Sequence, residues 1–131
     1  MLEECRSTGF NVGLPYRMFG RPILGLIDSE RAHGIGLSTL SKLERTSMGR
    51  GFLKSLYQSP EIPTSVFGLS FSHPLGIAAG FDKKAAALSA WPSLGFSWME
   101  YGGITRFPQD GNPKPRMFRA NKENALVNRM G

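Results

Sequence analysis

A chain of 131 residues is long enough for one ordinary domain with a real core, but far short of the roughly 250 residues of an eightfold α/β barrel. The net charge of +6 would suit nucleic acid by sign alone. However, residues 1–60 and 61–131 each carry eight Lys/Arg against five Asp/Glu, and no basic block is interleaved with aromatics, so a basic surface facing anionic lipid is expected in place of a nucleic-acid site.

The single cysteine, Cys5, excludes an internal disulfide and fits a reducing compartment. No run approaches the ~20 apolar residues of a spanning helix, and the amino end lacks the charged-then-apolar order of a signal peptide. Glu3 and Glu4 also oppose a mitochondrial presequence. The expected protein is intracellular and not membrane-spanning.

Residues 1–13 carry no period and are expected to be a loose, disordered end. From Pro15 to Ile27, apolar Tyr16, Met18, Phe19, Ile23, Leu24, Leu26 and Ile27 outnumber Arg17 and Arg21. Pro15 suits a first helical turn, and Pro22 predicts a kink or restart. Asp28 is the expected N-cap of a second helix, with Glu30 in its first turn. Ala32, Ile35, Leu40 and Leu43 keep one face apolar to about Leu43, despite Gly34 and Gly36. A Gly/Ser/Pro-rich linker is expected to follow, ending at Pro60 and Pro63. Residues 14–60 thus read as a helical appendage.

From residue 61 the pattern turns to strands. Val66 to Phe71 predicts two short strands bent at Gly68, and Pro74–Gly80 a third. A short helix from about Lys84 is expected to end near Trp91, before Pro92. Ser97–Gly102 is the next strand, completing one βαβ unit of a parallel sheet. After a turn over 107–113, Arg116–Arg119 and Ala125–Asn128 are expected to pair as a hairpin.

The chemistry-bearing strings, in order, are ERAH (Glu30–His33), AAGFDK (Ala78–Lys83), EYGGIT (Glu100–Thr105), PQDGNPKPRMFR (Pro108–Arg119) and NRMG (Asn128–Gly131). An apolar strand running into glycine and a charged pair suits a barrel strand that opens onto a ligand. The residues alone equally allow a buried strand end with a surface Asp82–Lys83 pair. Together, from about Leu14 to Gly131, the strings resemble the amino-terminal third of the dihydroorotate dehydrogenases, specifically the membrane-associated quinone class, whose soluble counterpart lacks the helical pair.

That resemblance implies an α/β fold in which a helical pair precedes the first strands of a (β/α)₈ TIM barrel, here incomplete. It implies FMN across the barrel mouth, oxidation of (S)-dihydroorotate to orotate in pyrimidine biosynthesis, and quinone as electron acceptor. By position, Ala79, Gly80, Phe81, Asp82, Lys83 and Gly103 fall at the flavin, and Lys83 also at the substrate. Small Ala79 and Gly80 leave room for a flat ring, and a lysine cation stabilises negative charge beside it. Asn128, Arg129, Met130 and Gly131 fall in the orotate-binding loop, where an asparagine offers both donor and acceptor. An ordinary polar turn is the other reading of that loop. His33 and Arg119 fall at the quinone entrance; a water-facing histidine and a solvated hairpin arginine are their plain alternatives. The resemblance also implies a peripheral place on the cytoplasmic face of a bacterial inner membrane, in preference to a mitochondrial one, with Tyr16–Ile27 on the bilayer surface.

The sequence departs from the family pattern at several places. Gly103 replaces a hydroxyl residue that normally reaches the flavin, so Gly103→Thr is expected to tighten flavin. Lys84 and Ala85 replace Asn-Gly, and Ala85 is expected to strain a turn that prefers glycine. Arg106 replaces a proline. The family's proton-abstracting serine and phosphate site are expected beyond position 131, so no catalytic residue and no metal ligand is assigned here, and no turnover is expected of the chain by itself. The alternative is a non-enzymatic membrane-surface or interaction module built on Tyr16–Ile27 and the basic charge.

Overall fold

The computed structural model describes residues 13–57, 60–123 and 125–131. The expected loose end and Cys5 lie outside them, apart from Gly13, which opens a helical stretch. That stretch comprises α1 (Gly13–Pro15), a π-helical turn (Tyr16–Gly20) and α2 (Arg21–Gly25), with Pro22 in the first turn of α2. Proline is tolerated there because first-turn N–H groups have no helical acceptor. The restart expected at Pro22 is therefore seen.

Helix α3 (Ser29–Leu43) starts where Asp28 accepts the Arg31 N–H at 3.0 Å, the capping expected of it. The expected linker is corrected in part. Residues Ser47–Leu56 form helix α4, capped by Thr46, whose hydroxyl oxygen accepts the Gly49 N–H at 3.0 Å. Its glycines and serines suggested a coil, but Leu53 is buried in the core, and tertiary packing overrides their weak propensity.

Strands β1 (Thr64–Val66) and β2 (Leu69–Phe71) form an antiparallel hairpin. Its two turn residues, Phe67 and Gly68, have φ of +52° and +76°, the twist that matches a tight hairpin. Strand β3 (Gly76–Ile77) pairs in parallel with β4 (Trp98–Met99), with Gly76 opposite Trp98 and Ile77 opposite Met99. Between them the expected helix from Lys84 is replaced by turns, then by α5 (Ala90–Ser93), which contains Pro92 instead of stopping before it. The cause is local: Ala85 sits at φ +50°, which no right-handed helix admits. The βαβ connection itself stands as expected, and so does the final hairpin of β5 (Met117–Ala120) and β6 (Ala125–Asn128).

The core lies where α3, α4 and α5 meet the β3–β4 pair. Leu53, Ile77, Ala87, Ala90 and Trp91 are buried there, with Leu37, Leu40, Leu43, Leu94, Phe96 and Met99 packed around them. Glu44, just past α3, accepts the N–H groups of Ser89 at 2.7 Å and Ala90 at 3.0 Å, docking the start of α5 onto the end of α3. The architecture is mixed α/β with three separate two-stranded sheets, and no barrel is seen among the described residues. No helix among them is long and apolar enough to cross a membrane.

Candidate functional site

The parallel pair delivers two glycine-rich segments side by side. A Cβ placed on Gly102 would stand 3.1 Å from the Ala79 Cβ and 3.8 Å from the Gly80 nitrogen, so the exits of β3 and β4 are in close contact. Gly80 at φ +89° and Gly103 at φ +66° both face open space. The two chains can follow this path because glycine carries positive φ without a steric penalty. Lys83 is exposed and, among the described residues, makes no hydrogen bond or ion pair. Small backbone, open space and a free cation fit one edge of a flat anionic ring system.

The positive φ at Gly103 sets a cost against the hydroxyl substitution considered there. A β-branched threonine is strained in that region, so the missing hydroxyl is not supplied without a backbone penalty. The strain expected at Ala85, by contrast, is seen in its φ of +50°.

Asp82 points inward. Its side chain, 2 % exposed, accepts the Ala86 N–H at 2.8 Å, the Ala87 N–H at 3.0 Å and the Trp91 indole N–H at 3.2 Å. Burial pulls its pKa up, but those three donors and the charge of nearby His33 outweigh it, leaving the carboxyl below its ordinary value. Asp82 thus shapes the loop that presents Phe81 and Lys83. Burial, then the negative charges of Asp82 and Glu44, push the Tyr101 phenol above its usual range.

Phe81 connects this strand exit to a second feature. Its ring stands edge-on to His33 at 4.9 Å and to Trp91 at 5.5 Å. All three line a cleft of ≈ 970 Å³ whose walls come from the Tyr16–Gly25 stretch, α3 and the β5–β6 hairpin, and Arg119 lies in the same wall. The Arg119 Nη1 donates to the Ile27 carbonyl at 2.6 Å and the Gly25 carbonyl at 3.4 Å, tying the end of α2 to β5. The sequence placed His33 and Arg119 together; the structure adds Phe81, which its motif had assigned to the flavin alone, and Trp91, which no motif marked.

The Asn128–Gly131 segment is held from one side. The Arg129 N–H donates to the Arg116 carbonyl at 2.8 Å, and the Asn112 N–H to the Met130 carbonyl at 3.0 Å. The Asn112 Nδ2 donates to the Arg129 carbonyl at 2.9 Å. No hydrogen bond, ion pair or ring contact among the described residues links this segment to Lys83 or Gly103. Arg116 and Glu30, which sequence reasoning gave no role here, form a close ion pair at 2.7 Å. The Arg116 hydrogen bond holds Glu30 below its ordinary pKa against a smaller opposing effect of burial, with Lys114 helping; the same bond raises Arg116.

Fold and geometry together define an α/β protein in which a glycine-lined parallel strand exit opens beside an apolar cleft walled by helices. The sequence profile of the family described as "Dihydroorotate dehydrogenase" matches residues 61–131. The chain belongs to the dihydroorotate dehydrogenase family. It is 49% identical over 111 residues to the dihydroorotate dehydrogenase (quinone) of Stenotrophomonas maltophilia, covering 85% of this chain and 31% of that protein. It is 45% identical over 118 residues to the protein of the same name from Gloeobacter violaceus, covering 88% and 33%. The ligand-free structure of the Eimeria tenella dihydroorotate dehydrogenase superposes with a TM-score of 0.64 at 41% identity, over 79% of this chain and 27% of that one. The chain therefore spans about a third of the length of the relatives it matches.

Proposed function

We propose that this chain serves a quinone-dependent dihydroorotate dehydrogenase, supplying its helical quinone entrance and one wall of its flavin and substrate site at the start of a (β/α)₈ barrel. The observation that carries this reading is the convergence of His33, Phe81 and Arg119 on one cleft directly beside the Ala79–Lys83 strand exit. Residues 14–60 form the quinone-side segment and 61–131 the first part of the flavin-binding unit.

FMN, when bound, supplies the two-electron chemistry between dihydroorotate and quinone. Ala79, Gly80 and Gly103 let a ring approach the backbone, Phe81 and Asp82 shape that edge, and Lys83 offers positive charge to flavin and substrate. Asn128 provides a donor and an acceptor to a pyrimidine edge, with Arg129, Met130 and Gly131 carrying the loop. On the other side, Arg119 uses Nη1 on the backbone and keeps its Nε and Nη2 donors for a quinone carbonyl, beside the His33 imidazole. The exposed apolar residues Tyr16, Met18, Phe19, Ile23 and Leu26, flanked by Arg17, suit the surface of an anionic bilayer, and we place the protein peripherally on a bacterial inner membrane.

The test is to join this chain to the carboxyl-terminal two thirds of a quinone-type relative. The hybrid should purify yellow and reduce a quinone analogue in a dihydroorotate-dependent way. Lys83→Ala should cut turnover strongly, while His33→Ala should raise KM for the quinone with little effect on KM for dihydroorotate. Full activity in the Lys83→Ala hybrid would remove that residue from the site. A colourless, inactive hybrid that nevertheless folds would defeat the reading altogether.

A further inference from the structure

We propose that Arg116 is the positioning residue of the Asn128–Gly131 loop, and that Glu30, in the first turn of α3, is its anchor. One guanidinium meets both structures at once. Its Nη2 donates to Glu30 Oε1 at 2.7 Å, and its Nε lies 3.1 Å and 3.2 Å from the two Glu30 oxygens. Its Nη1 donates to the carbonyls of Asp110 at 2.9 Å and Asn112 at 3.3 Å. The Arg116 backbone carbonyl then receives the Arg129 N–H, and Asn112, held by the guanidinium, donates its backbone N–H to the Met130 carbonyl and its Nδ2 to the Arg129 carbonyl.

The two side chains are only 16% and 17% exposed, whereas Lys114, the other partner of Glu30 at 3.3 Å, is 70% exposed. Lys114 therefore supplies charge, and the planar Arg116 supplies direction. A fork that pairs with a carboxylate on one edge and with two carbonyls on another cannot be reproduced by an ammonium group. Glu30 fixes the fork, the fork fixes the 110–112 turn, and the turn fixes the 129–131 backbone. Because His33 follows Glu30 by three residues on α3, the cleft wall and the loop are joined as one body. That the loop meets substrate rests on the function proposed above; its placement by Arg116 does not.

The test needs no ligand. Amide hydrogen exchange in the 131-residue chain is followed at Asn112 and Arg129, with Ala86 and Ala87, held by Asp82, as internal controls. Glu30→Gln keeps size and removes the anchoring charge; Arg116→Lys keeps charge and removes the fork. Both should speed exchange at Asn112 and Arg129 by about tenfold or more while leaving Ala86 and Ala87 unchanged, as a local opening does. In Arg116→Ala, added guanidinium ion should restore the protection, and in Glu30→Gln it should not. Unchanged exchange at Asn112 and Arg129, absence of guanidinium rescue, or equal acceleration at all four amides would each overturn the proposal, the last by reducing the pair to a general structural contact. Since neither flavin nor substrate is present, such a failure is separate from failure of the hybrid enzyme.

Discussion

The indole of Trp91 donates its N–H to the buried carboxylate of Asp82 across 3.2 Å, closing the loop that runs between β3 and α5. The same carboxylate takes the N–H groups of Ala86 and Ala87, so one ionised side chain replaces the first turn of the helix that the sequence led us to expect. It also fixes Trp91, whose ring both fills the core and faces the cleft.

Asp82→Asn should destabilise the chain by about 2–3 kcal/mol, because an amide has one acceptor oxygen for three donors and turns its own N–H₂ toward them. Urea unfolding of the two proteins measures this. A loss no greater than that of an exposed control such as Lys122→Gln would contradict the role assigned to Asp82.

Acid should weaken the fold through two carboxylates. Both Glu30 and Asp82 have folded pKa values below their ordinary ones, so each binds its proton less readily when folded than when unfolded. Their stabilisation is therefore complete above the unfolded values of about 4 and is lost as pH falls through the lower folded values. Arg116 and Lys114 face Glu30, and His33 faces Asp82. Urea midpoints between neutral pH and pH 2 should fall steeply in the parent and more gently in Glu30→Gln, and identical slopes would argue against it.

Backbone conformation makes opposite demands at two positions. Ala85→Gly should raise stability by about 0.5–1 kcal/mol, since relief of the left-handed strain exceeds the extra freedom given to the unfolded chain. Gly103→Thr should lower it by about 1–2 kcal/mol, because the strain exceeds what a new hydroxyl hydrogen bond returns. Thermal midpoints moving in the same direction for both variants would show the φ assignments to be wrong.

Gly76 lies directly opposite Trp98, and a Cβ there would collide with the indole. Gly76→Ala should cost about 1–3 kcal/mol by overpacking. Pairing it with Trp98→Val should recover part of that loss, which a double-mutant cycle reads directly; additivity of the two changes would exclude the contact.

Membrane contact is expected from the Tyr16–Leu26 surface. The chain should float with anionic vesicles at low salt and be released as salt rises, and Phe19→Asp should weaken flotation at every salt concentration. Recovery of the parent wholly in the soluble fraction under all conditions would refute this.

Features set by neighbouring residues were legible without coordinates. Asp28 caps α3 because its side chain reaches an amide three residues on, and the bend between two short strands follows from Gly68, although their pairing through a Phe67–Gly68 turn was not foreseen. The parallel βαβ unit, the final hairpin and the strained Ala85 were equally local in origin. The motifs AAGFDK, EYGGIT and NRMG identified the family, since their side chains and spacings are properties of the chain itself. Helix α4 was missed because isolated Gly and Ser favour coil, and only the burial of Leu53 against α5 and β3 reverses that preference. Arg116 meeting Glu30 across 86 residues, Glu44 meeting Ala90 across 46, and Arg119 meeting Ile27 across 92 leave no periodic trace. Such contacts are decided by how packed elements bring distant side chains together, and the joining of the cleft wall to the loop of Asn128–Gly131 therefore emerges only in three dimensions.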